Sequence, residues 1–115
     1  MYQASYAEAL QSAPGECRER ERLAFGRAIE LMKRAEAAGP GSPDVAQAID
    51  FLCRLWRVLL DDLTSADNDL PETLRGDLVS IGIWVLRQTD DIRAGRSVSF
   101  RGLIDICAVI RDGLK

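Results

Sequence analysis

Apolar residues recur along this chain at spacings of three and four, the period of an α-helix that buries one stripe. The clearest series is Ile49, Leu52, Cys53, Trp56, Leu59, Leu60 and Leu63, which predicts a helix over 43–64 with an apolar stripe about 20 Å long. Over 16–38, Leu23, Ala24, Ala28, Leu31 and Ala35 repeat at helical spacing, Phe25, Ile29 and Met32 broaden the face, and Glu19, Arg20, Glu21 and Arg22 read as the solvated side. A third series, Leu74, Leu78, Ile81, Val85, Leu86 and Ile92 with Trp84 on its flank, predicts a helix over 71–94. The last runs over 99–113 through Leu103, Ile106, Cys107 and Ile110 towards Leu114. Residues 3–12 form a shorter candidate, with Tyr2, Tyr6 and Leu10 on one stripe. So short a helix is marginal alone and must either pack on the rest or wait for a partner to order it. No alternating apolar and polar run persists long enough to predict a strand.

The punctuation agrees with these segments. Gly39-Pro40-Gly41 stops one helix, because glycine frees the backbone and proline cannot continue the hydrogen-bond ladder. Ser42-Pro43 then offers a hydroxyl cap followed by proline at the first helical position. Asp69 with Glu72 three residues later reads as a capping box, although with Pro71 as the first helical residue Leu70 would be the cap and the box would fail; Ser99 reads as a cap, with Val98 stapling back to Leu103. Gly82 interrupts an otherwise regular stripe, which predicts close approach by a neighbouring helix at that point. The expected architecture is one all-α domain over residues 1–115, a compact bundle of about five helices with mostly antiparallel neighbours.

Composition narrows the function. Histidine is absent, which removes the commonest acid/base group and the usual partner of a serine or cysteine nucleophile. Cys17, Cys53 and Cys107 are odd in number and lack metal-ligand spacing, so neither a disulfide framework nor a zinc site is expected, and a reducing cytoplasm is the simpler compartment. Asp67, Asn68 and Asp69 lack the glycine and glutamate that a calcium loop needs. No enzyme, cofactor or metal is predicted. The opening residues show no signal-peptide pattern, and Arg54, Arg57, Asp61 and Arg87 break every apolar stretch, so no membrane insertion is expected. A formal net charge of -3 gives direct nucleic-acid binding little support.

What remains points to protein binding. Only Lys33 and Lys115 among the 15 basic residues are lysines; the arginine bias favours forked pairing with carboxylates. Asp61-Asp62 and Asp90-Asp91 sit near helix C-termini, where the dipole disfavours them and an arginine from a neighbouring helix or a partner would compensate. Trp56 and Trp84 each fit either a core position with the indole N–H at the rim or an anchor in a partner groove. Tyr2, Tyr6, Trp56 and Trp84, rimmed by Arg54, Arg57 and Arg87, are the candidate groove.

Several of these segments resemble one family. Met1-Tyr2 with Tyr6 and Ala7, the Leu52–Val58 run around Arg54, Leu55 and Trp56, the Asn68–Leu74 run ending at Arg75, Ser80–Leu86, and Leu103–Ile106 with Gly113-Leu114 are similar, in order, to the FlaF family of bacterial flagellar biosynthesis regulators. Cys107, Ala108 and Val109 depart from its pattern, where polar residues are usual. The resemblance implies a cytoplasmic factor needed for flagellin production and export, binding flagellin as a chaperone-like partner and linked in function to the translation regulator FlbT. The alternative it leaves open is control of flagellin messenger translation together with a protein partner.

Overall fold

The computed structural model describes residues 14–97 and 99–113, with side chains from Glu19 onward. The helix expected over 3–12, the thiol of Cys17, the staple from Val98 and the burial of Leu114 therefore lie outside the described residues. Within them the chain forms four helices and no strand: α1 (Pro14–Ala38), α2 (Pro43–Leu63), α3 (Glu72–Arg93) and α4 (Arg101–Gly113). The all-helical bundle predicted from periodicity is the fold observed.

Local chemistry explains the helix ends. Gly39 (φ 93°) and Gly41 (φ 78°) both take the left-handed conformation that side chains resist, turning the chain within four residues. Ser42 is extended at φ -74°, ψ 158°, and its hydroxyl accepts from the Val45 N–H at 3.4 Å to cap α2. The capping box expected at Asp69 and Glu72 is not formed. Pro71, extended at φ -54°, ψ 142°, stands immediately before Glu72, so the helix begins too late for Asp69 to cap it, and no side chain caps α3. Ser99 accepts from the Arg101 N–H at 3.2 Å at the start of α4.

Packing follows register. Gly82 of α3 faces Leu60 and Trp56 of α2, while Thr89 meets Cys53 at 3.3 Å, so α3 runs antiparallel to α2. Phe25 of α1 meets Trp56 edge-to-face, with ring centroids 5.9 Å apart at 76°. At the other end of the core Ala35, Val45, Ile92 and Phe100 converge. From there α4 rises until Cys107 lies beside Trp56, so α4 runs parallel to α2 and antiparallel to α1 and α3. The helix α1 packs on both α2 and α4, whereas the substantial contact of α3 is with α2.

The core joins Phe25, Met32, Leu52, Trp56, Phe100 and Leu103, each at most 2% exposed. Two readings of α1 are corrected here. Leu23 is 59% exposed, because it lies about 160° around the helix from Phe25, which centres the buried face instead. Glu21 is buried, since it stands one turn before Phe25 on the same stripe.

Candidate partner-binding surface

The candidate groove residues occupy different environments. Trp56 is 1% exposed, wedged between Phe25 of α1 and Gly82 of α3, and its bulk organises the core. Its indole Nε1 has no well-formed hydrogen bond among the described residues. The polar group beside it is the Cys107 thiol, whose pKa burial pushes up to about 11, an effect the neighbouring indole N–H partly opposes. Trp84 is 40% exposed and lies over the start of α4: a Cβ on Gly102 would stand 3.2 Å from its Cη2. Tyr2 and Tyr6 lie outside the described residues.

Helical register places the arginines. Arg93 of α3 reaches Asp50 of α2 at 3.9 Å, which fixes the outer seam between these helices. Seven residues on along α2 and seven back along α3, Arg57 comes level with Leu86, next to the exposed Ile83. Arg54 is exposed one turn below it. Arg87 lies about 40° from Ile83 and about 60° from Trp84 around α3, so it bridges the seam and the tryptophan. The outcome is a ridge along α3 made of Ile83, Trp84 and Arg87, with Arg54 and Arg57 beside it on α2. Exposure of Ile83 at 45% was not signalled by the sequence, because its apolar character reads as core until the helix phase is known.

The arginine bias resolves into two groups. Arg22, Arg27, Arg34, Arg93, Arg96 and Arg111 pair with carboxylates. Among the described residues, Arg54, Arg57 and Arg87 form no ion pair, and neither do Arg75 and Arg101, which stand away from the ridge in sequence. The acidic pairs at the helix ends also divide. Asp91 is held by Arg96 at 2.9 Å and Asp90 by Arg93 at 3.4 Å, so arginines do compensate there, though from the same helix and the turn after it. Asp62 is buried and accepts instead from the Asn68 amide at 3.2 Å. Burial raises its pKa, and the Asn68 hydrogen bond acts in the opposite direction.

Among the described residues, neither a small-molecule site nor a metal site emerges. A shallow cavity of about 190 Å³ between the α1–α2 turn and the α3–α4 loop is mainly apolar, and its one arginine, Arg93, is engaged with Asp90 and Asp50. It is smaller than the usual ligand pocket. Among the described residues no cluster of three or more Cys, Asp or Glu side chains could hold a metal, and no helix is long and apolar enough to cross a membrane.

The described residues define the class of small all-α bundles, here with four helices and an apolar and cationic ridge exposed on one of them. The particular family is shown by its sequence model: the flagellar protein FlaF family matches residues 2–114, and the chain belongs to it. It is thus a protein of flagellar biogenesis. No curated protein and no solved structure matches the chain.

Proposed function

We propose that this chain is a cytoplasmic flagellin-binding factor, acting as a chaperone in flagellin secretion and thereby also affecting flagellin synthesis. Membership of the FlaF family is the observation that carries the reading. The exposed ridge on α3 supplies a surface suited to it. Trp84 and Ile83 offer apolar area that an amphipathic helix can cover, and Arg54, Arg57 and Arg87 are available to carboxylates beside that helix. The terminal segments of an unpolymerised flagellin are partners of this kind, because their apolar stripes have not yet been buried in a filament.

The test is calorimetric titration of purified monomeric flagellin into the full chain and into Trp84→Ala and Arg87→Ala variants. Saturable binding by the parent, weakened at least about tenfold by Trp84→Ala with its circular dichroism unchanged, is expected; this corresponds to about 1.4 kcal/mol. No flagellin binding, together with RNA binding whose log affinity falls linearly with log salt, would replace the proposal with direct control of messenger translation.

A further inference from the structure

Gly102 is the second residue of α4 and is exposed, yet a glycine inside a helix lowers its stability relative to alanine. The backbone does not call for it. Among the described glycines only Gly39, Gly41 and Gly95 take a positive φ, so Gly102 lies in ordinary helical conformation open to most residues. What distinguishes it is its neighbour. A Cβ at residue 102 would stand 3.2 Å from Cη2 and 3.6 Å from Cζ2 of Trp84, whereas one at the helical Gly26, Gly76 or Gly113 would meet nothing within 4 Å. The missing side chain therefore forms a notch that receives the far edge of the indole's six-membered ring.

The notch acts on the orientation of Trp84. Among the described helices the substantial contact of α3 is with α2, so the indole crosses to α4 where the two helices are not themselves closely packed. The ring is held at both ends, by its own Cβ on α3 and by the notch on α4, and this second contact selects among its staggered rotamers. A surface side chain without such a contact keeps its rotamer freedom until a partner arrives and then loses it, at a cost to affinity. Trp84, although 40% exposed, has surrendered that freedom beforehand. The seat also sets direction. Trp84 leans towards α4, Ile83 points about 100° away from it around α3, and Arg87 lies between the two. The ridge thus presents two apolar anchors on either side of an arginine in a fixed arrangement.

We infer, on the reading of this ridge as the flagellin-binding surface, that Gly102 is a positioning residue for that surface: without touching the partner, it holds the Trp84 indole in the orientation that a partner helix meets. Enlarging residue 102 removes the seat while improving the local helix. The loss is then felt in the order of one indole and in affinity, and only while Trp84 is present.

The seat is tested by nuclear magnetic resonance on the isotope-labelled full chain, whose two indole N–H resonances are told apart by the loss of one in Trp84→Phe. In the parent, the Trp84 indole should be as ordered on the picosecond-to-nanosecond timescale as the α3 backbone. In Gly102→Val, whose two methyl groups are fixed on the added Cβ and cannot swing clear of the ring, its resonance should move and its order fall while the Trp56 resonance stays in place. Gly102→Ala should give a smaller change in the same direction. An indole as mobile in the parent as in Gly102→Val overturns the proposal. The role in binding is tested by titrating monomeric flagellin into four full chains: the parent, Gly102→Val, Trp84→Ala and the double variant. Gly102→Val should weaken binding about three- to tenfold in the parent, and by less than about twofold where Trp84 is already alanine. Equal loss in both backgrounds would mean that residue 102 meets the partner directly, and it overturns the positioning role, as does no loss in either. A parent that binds no flagellin overturns the functional reading and the role in binding with it, while the seat itself is judged separately by the indole resonance.

Discussion

Gly82 and Trp56 are in contact through the absence of a side chain: a Cβ at residue 82 would stand 3.0 Å from Cε3 of the indole and 2.7 Å from Cδ2 of Leu60. Leu60 is half-buried and can yield, but Trp56 is a rigid ring held by Phe25 on another side. Gly82→Ala should therefore destabilise the fold by roughly 1–3 kcal/mol despite the better helix propensity of alanine. Gly76 on the same helix meets nothing within 4 Å, so Gly76→Ala should stabilise by about 0.5–1 kcal/mol. Urea denaturation of the two variants measures both, and the same sign for both would refute the packing account.

The two tryptophans should separate by stability. Trp56→Ala removes the centre of the core and should cost roughly 3–5 kcal/mol, much of what holds a domain of this size together. Trp84→Ala, on an exposed position, should cost about 1 kcal/mol or less. Acrylamide quenching of the single-tryptophan variants Trp56→Phe and Trp84→Phe provides a second readout. Fluorescence from Trp84 should be quenched readily and that from Trp56 should be protected.

Asp62 makes stability depend on pH in the acid range. Its folded pKa lies above the unfolded value, so the folded state holds the proton more tightly and stability falls as pH rises from the ordinary aspartate pKa through the raised one. Asp62→Asn keeps an amide oxygen to accept from Asn68 and removes the charge. Relative to the parent, this variant should gain thermal stability as pH increases from about 3.9 upward, the ordinary value for aspartate. A difference in melting temperature that stays constant across this range would count against the burial argument.

Thiol chemistry should follow burial. Cys107 and Cys53 are 0% and 6% exposed, and the Cys107 thiol is pushed up to about 11, so little thiolate is present at neutral pH. In a Cys17→Ser background, both should react with an aromatic disulfide reagent only after denaturant is added. Rapid labelling of either cysteine in buffer would show that the core opens locally.

Much of this fold was legible because helical periodicity depends on spacing alone. The α2 stripe from Ile49 to Leu63, the glycine turn at residues 39–41, the Ser42 cap and the close approach at Gly82 could all be inferred from residue type and position. Phase was harder to infer. In α1, alanines and large residues share several faces, and the choice between Leu23 and Phe25 was settled by where α2 and α4 lie. The capping-box signature failed because Pro71 imposed its own geometry on the helix start. The groove reading treated both tryptophans alike, although one fills the notch left by a glycine and the other lies over a glycine at the surface. Only tertiary contacts distinguish those roles.

The helix α3 is secured mainly along one seam, to α2, with Trp84 touching α4 at Gly102 as a lateral stay and with no side-chain cap at its start. Mechanically it is a hinged leaf rather than a load-sharing strut. A partner that grips α3 needs to undo fewer contacts to peel it away than to displace α1, which is clasped on two sides. The exposed ridge and the weakest attachment therefore lie on the same helix, and binding there would be transmitted directly to the Gly82 notch and the tryptophan beneath it.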